Sequence, residues 1–229
     1  MKNNARHPVP APPAASEEEA PRGPSRERVL QAAELLFASH GYAGTSLRAI
    51  MAQAQVDTGA IHYHFRHKLG LLRALFEQRV APINDEREAQ FDGIDDPAQP
   101  PGPEAVLRAF IAPALRAAHS PEQARFNRVT ALCSVDPDPQ VRAVVFEAYD
   151  AAARRFARLL RAATPWLNDT DFQWRLECMY GSMMYIRSDN GRVSHLLDAR
   201  HRRDQVEHVI DELVAFTAAG FRAPGTRRA

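Results

Sequence analysis

Between residues 45 and 68 the chain concentrates small, polar and basic side chains at spacings that suit contact with duplex DNA. In the run Thr58-Gly59-Ala60-Ile61-His62-Tyr63-His64-Phe65, helical spacing that turns Ile61 and Phe65 inward turns Thr58, Ala60, His62 and Tyr63 outward. A helix that enters a major groove must present groups of this kind, able to hydrogen-bond base edges, and small residues such as Gly59 and Ala60 permit close approach. Around this run stand donors suited to phosphate oxygens: Thr45, Arg48, His64, Arg66 and Lys68. At Lys68 the ammonium would add to the positive end of a following helix.

Other chemistry is poorly served. His62 and His64 could share an ion in a strand or loop, but on a helix residues two apart diverge, so no metal site is expected. Ser, His and Asp are scattered without a nucleophile elbow, a Gly-rich phosphate loop or a zinc helix motif, so neither an enzyme nor a cofactor is expected. With 29 basic against 28 acidic residues, net charge carries no sign of a nucleic-acid partner, and the case rests on local placement.

The elements that must position these residues are helical. From Ser25, a plausible N-cap, Val29, Ala32, Ala33, Leu36 and Phe37 mark one face of a first helix that Gly41 can end. Leu47, Ile50, Met51 and Ala54 mark a second. Asp57 can cap a third with Ile61 and Phe65 inward, and a fourth begins near His67 and runs through Leu69, Leu72, Leu75, Phe76 and Val80. Beyond a proline-rich loop from Asp95 to Pro103, further helices are expected at Glu104 to Ala118, Pro121 to Cys133, Pro139 to Ala163, Asp169 to Arg187 and Arg203 to Ala219. No alternating strand pattern is present. The fold class is all-α: an N-terminal three-helix helix-turn-helix DNA-binding domain joined by a long fourth helix to a larger C-terminal helical bundle. The expected division is a disordered arm over 1–24, the DNA-binding domain over 25–70, the bundle over 71–222 and a flexible tail over 223–229.

The run Gly41-Tyr42, Thr45-Ser46-Leu47, Ile50, Ala54, Val56, Ile61-His62-Tyr63-His64-Phe65 and Lys68 resembles the signature of the TetR family of bacterial transcriptional regulators. That resemblance implies a repressor with double-stranded operator DNA as partner, a divergent effector-binding bundle, and homodimerisation through the last two long helices. Four positions depart from the family pattern: Met51 replaces alanine, Gln55 glycine, Asp57 serine and Leu69 an acidic residue. Gln55 is thereby expected to adopt positive φ, at a cost of roughly 1 kcal/mol.

In the C-terminal half, Phe110, Phe126, Trp174, Met179 and Met183 are candidate ligand contacts, with plain core packing as the competing reading. A looser likeness of residues 80–87, 172–175 and 179–181 to fatty-acid-responsive members implies a small lipophilic effector, with fatty acyl groups among the candidates. The alternative is a structural DNA-binding protein without effector, against which the size of the C-terminal half argues. Leu176, Met183, Val206, Val209, Ile210, Leu213 and Phe216 form the apolar stripes expected at the two-fold interface. Cys133 and Cys178 read as two buried free thiols in a reducing cytoplasm. The absence of a long apolar stretch argues against a membrane partner.

Overall fold

The computed structural model describes residues 24–56, 64–96, 98–117, 121–188, 191–198 and 205–225. The expected arm, Pro24 apart, lies outside the described residues, as do 57–63 of the expected third helix and 226–229 of the expected tail. Among the described residues the chain is helical, with no strand.

Helix α1, Pro24–His40, buries Val29, Ala32, Ala33 and Phe37 and ends where the Gly41 N–H donates to the Phe37 carbonyl at 2.9 Å. Gly41 has φ +71°, the left-handed geometry that glycine adopts freely. Helix α2, Leu47–Ala54, is capped by Ser46, whose hydroxyl accepts from the Ala49 N–H at 3.1 Å. Ile50 and Ala54 are its buried residues.

Helix α3, Lys68–Asp92, starts under an unusual cap: the Nδ1 atom of His67 accepts from the Gly70 N–H at 3.0 Å. Before it, Arg66 takes a left-handed φ of +63°. A Cβ on Gly70 would lie 2.2 Å from the Phe65 carbonyl oxygen, so this corner closes only over a glycine. The bundle continues with α4, Pro103–Ala117, α5, Pro121–Ser134, and α6, Pro139–Ala163, whose N-cap Asp138 accepts from the Gln140 N–H at 2.8 Å. Then follow α7, Asp169–Ser188, α8, Arg192–Leu197, and α9, Val206–Arg222. The pattern gave no sign of α8, a six-residue turn of helix entered through Gly191 without a capping side chain.

Two apolar clusters organise these helices. The first joins Val29, Phe37, Ile50, Leu71, Leu75 and Phe76 of the N-terminal helices to Phe126, Val129, Val141 and Val144 of α5 and α6. The second holds Phe91, Leu107, Phe110, Phe156, Met179, Met183, Ile210 and Leu213. The cluster boundary therefore does not coincide with a division at residue 70, because α5 packs on α1 and α6 on α3.

Two expectations are corrected. Cys133 is buried, and burial pushes its thiol up to about 12, but Cys178 lies exposed on α7. Of the stripe expected at a two-fold interface, Met183, Ile210 and Leu213 are buried within this chain, whereas Phe216 is 69% exposed. Helix α7 carries apolar residues around much of its circumference, so periodicity alone does not say which face meets its own bundle.

Gln55 adopts the left-handed conformation, φ 54° and ψ 50°, as its place in the turn requires. Replacing it by glycine relieves a Cβ clash of about 1 kcal/mol, so Gln55→Gly is expected to raise Tm by roughly 2–4 °C. A fall in Tm on thermal unfolding would show that the turn carries no such strain.

Candidate nucleic acid interface

The described part of the site is a corner at which two helices begin. Lys68, the first residue of α3, donates from Nζ to the carbonyls of Tyr42 and Thr45, each at 2.9 Å, and its ammonium lies 4.1 Å from the centre of the Tyr42 ring. These bonds draw the start of α3 against the loop that leads into α2. Neither helix carries an acidic residue in its first turn, so the positive ends of both dipoles are left uncancelled there. Burial pulls the Lys68 pKa below its usual value, with Asp136 opposing. Burial also raises the Tyr42 hydroxyl, with Asp138 and Asp136 adding to the rise, which puts the acidic loop between α5 and α6 beside this corner.

The expected site residues fare differently. Thr58, Ala60, His62 and Tyr63 lie outside the described residues. Arg48 is exposed on the first turn of α2, and Arg66 is exposed just before α3. His64 is half-buried with its ring 5.9 Å from that of Phe65, and the guanidinium of Arg26 sits 5.6 Å from the centre of the Phe65 ring. Thr45 is buried, and its hydroxyl donates to the carbonyls of Gly41 and Leu36 at 2.8 and 3.1 Å. In this structure that hydroxyl ties the loop to α1 in place of facing a phosphate. Ser46, next along, keeps the solvent-facing side and the capping bond.

Arg48, Arg66, Lys68 and two helix N-termini together make a corner suited to phosphate oxygens, where N–H groups and fixed positive charge converge. Sequence reading gave Lys68 a contact role and missed its bracing role, which needs the carbonyls of a loop 23 residues away. It also missed Glu34, although a carboxylate at i+4 from Leu30 and i−4 from Ala38, on the buried face of α1, was a legible signal.

In the bundle, three of the five candidate ligand contacts share one cluster. Phe110 stacks on Phe156 with centroids 4.0 Å apart and meets Tyr180 edge-on at 5.8 Å, and Met179 and Met183 are buried in the same cluster. Phe126 belongs to the other cluster, edge-to-face with Phe76 at 4.9 Å. Trp174 is 63% exposed, on the same helix as exposed Tyr185 and Ile186.

Comparison with known proteins gives two family matches. Residues 29–75 match the family described as bacterial regulatory proteins, tetR family, and residues 108–220 match the tetracyclin repressor-like C-terminal domain. The chain is 27% identical over 139 residues to the HTH-type transcriptional regulator SrpR of Pseudomonas putida, a match that spans 61% of each protein. In fold it is similar to the fatty acid degradation regulator FadR from Bacillus halodurans, with a TM-score of 0.63 at 18% identity over 87% of this chain and 97% of that one. It is also similar in fold to FadR from Bacillus subtilis in complex with stearoyl-CoA, with a TM-score of 0.56 at 15% identity over 85% and 98% of the two chains.

Substitutions at the corner separate bracing from phosphate contact. Lys68→Ala is expected to weaken binding to mixed-sequence duplexes and operator alike, to make the slope of log affinity against log salt shallower by about 0.9, and to lower Tm by a few degrees. Thr45→Val is expected to lower Tm without moving the salt slope. Salt titrations of both variants by fluorescence anisotropy check the pair, and an unchanged slope in Lys68→Ala would remove its ammonium from the phosphate contacts.

Proposed function

Because the chain belongs to the TetR family of bacterial regulatory proteins, we propose that it is a homodimeric, sequence-specific DNA-binding repressor released from its operator by a small lipophilic effector. The observation that carries this reading is the joining of the N-terminal helices, within the stretch that matches the family's regulatory domain, to a large helical bundle through a shared apolar core. DNA contact is assigned to Thr58, Ala60, His62 and Tyr63 on the groove-facing side, and to Arg48, His64 and Lys68 at the phosphates. Exposed Trp174, Tyr185 and Ile186 on α7 and Phe216 on α9 support a two-fold interface made by these helices, since large apolar groups in such number on one chain mark a protein contact.

A lipophilic effector is supported by the buried group of Phe110, Phe156, Met179 and Met183, soft and aromatic side chains that repack around apolar ligands. That one protein of similar fold was solved with stearoyl-CoA supports an acyl compound as the first class to try.

In a two-fold dimer the recognition helices must sit roughly 34 Å apart to reach successive major grooves on one face of DNA. Helix α3 runs 25 residues, about 37 Å, from the DNA corner into the bundle, so a small tilt at its far end changes that spacing. An effector acts in this way only if it binds the non-binding geometry more tightly than the DNA-competent one.

The test is linkage. With operator DNA selected from a random pool, effector affinity is expected to fall about five- to hundredfold when operator is saturating, and operator affinity to fall by the same factor when effector is saturating. Equal affinities with and without operator would remove the allosteric part and leave DNA binding standing. For the assembly, light scattering is expected to give a dimer for the natural chain and a monomer for the double variant Trp174→Glu, Phe216→Glu at micromolar concentration; a monomeric natural chain would refute the interface.

A further inference from the structure

Inside the bundle one side chain breaks the rule that buried charge is paired. Arg87 is fully buried, and among the described residues its hydrogen bonds go to a backbone carbonyl and a side-chain amide, with no carboxylate paired to it. Its Nε donates to the Phe110 carbonyl at 3.0 Å and its Nη1 to the Asn84 side-chain oxygen at 3.3 Å, but Nη2 is buried with no hydrogen-bond partner. The hydroxyl of Tyr149, whose ring centre lies 5.8 Å from the guanidinium carbon, is likewise buried and without a partner. Burial pulls the Arg87 pKa down to about 10, with Tyr149 opposing and Arg187 adding to the fall, so the group stays charged at neutral pH with a second cation near it.

A lone buried cation costs several kcal/mol, and a well-packed apolar residue of similar volume serves stability as well or better. A structural brace accounts for Nε and Nη1. It leaves Nη2 and the Tyr149 hydroxyl unexplained, and two orphan donors on neighbouring side chains match what one carboxylate accepts. The surroundings are aromatic: the guanidinium carbon lies 3.9 Å from the centre of the Phe110 ring, Phe156 stacks on Phe110, and Tyr180 meets Phe110 edge-on.

We infer that Arg87 and Tyr149 form the receptor for the head group of an anionic effector, an amphipathic carboxylate whose apolar part lies among Phe110, Phe156 and Tyr180. The inference rests on the effector-responsive reading above and narrows it from lipophilic compounds in general to lipophilic acids. It also gives the ligand a handle on the DNA corner, because Arg87 lies nineteen residues along the same helix as Lys68, about 28 Å away.

The test uses the full chain and two matched pairs of probes, decanoate with 1-decanol and 2-naphthoate with 2-naphthylmethanol, titrated by calorimetry at pH 7. In at least one pair the carboxylate is expected to bind about ten- to hundredfold more tightly than its alcohol. Arg87→Met is expected to abolish that preference while leaving alcohol affinity within about threefold, and to unfold at no lower temperature than the natural chain. Tyr149→Phe, which loses one unpartnered hydroxyl, is expected to weaken the carboxylate about fivefold and the alcohol hardly at all; it decides the matter should Arg87→Met not fold. Carboxylate and alcohol binding alike would overturn the anionic receptor while sparing a lipophilic effector. Failure of both carboxylates to bind, or a carboxylate preference that survives both substitutions, would overturn it as well. If the carboxylate binds through Arg87 and operator affinity does not change, the receptor stands and the effector-released repressor falls.

Discussion

The carboxylate of Glu34 holds together the parts on which the rest depends. It is 1% exposed on α1, with one oxygen 2.7 Å from the Nε of Arg79 on α3 and the other 3.6 Å from the Nε of Arg125 on α5. Three helices therefore meet on one buried negative charge: the first helix of the DNA reader, the linking helix, and a helix of the bundle. Burying that charge is costly, and it is tolerated because two guanidinium groups face it. Apolar packing of Phe76 against Phe126 sets the distance between α3 and α5, and the hydrogen-bonded Arg79 pair directs the angle between α1 and α3, since hydrogen-bonded charge is directional where apolar contact is not. The DNA-reading unit is thus not a bead on a string. Its core runs into the bundle through Phe126, Val129 and Val141.

Much of this was legible in the sequence because local chemistry decides it. The period of Val29, Ala33 and Phe37, the stop at Gly41 and the left-handed turn at Gln55 depend on a few consecutive residues, and each took the form that backbone sterics prescribe. What was not legible depends on partners far along the chain. The fate of the Thr45 hydroxyl turns on where the carbonyl of Leu36 lies, and the Lys68 ammonium takes its acceptors from a loop that α3 must first fold against. Trp174 and Phe126 looked alike as apolar residues at helical spacing, yet one faces outward and the other closes the junction between α3 and α5. Periodicity reports that a face is apolar, and says nothing of which of two apolar neighbours it meets. Arg87 was read only as part of a motif, since nothing in a sequence marks an arginine as unpaired.

Helix α3 carries two of the features that local reasoning could not reach. At one end Lys68 clamps the loop before α2, and in its second half Arg87 sits in the bundle beneath Asn84 and against Phe110. Between them Pro82 interrupts the run of backbone N–H groups, which removes one intrahelical hydrogen bond and weakens the helix at that turn. Asn84, two residues later, donates to the Ala148 carbonyl of α6 at 2.9 Å, so the helix is pinned to the bundle just beyond its weak turn. On the DNA side of the proline, Arg79 is pinned to Glu34. Force applied at Arg87 thus meets an anchored segment, then a soft turn, then a segment welded to α1. Under the proposed function, a ligand that shifts Arg87 away from the Phe110 carbonyl alters the angle at Pro82, and the Glu34 ion pairs convert that angle into a movement of the whole DNA-reading unit.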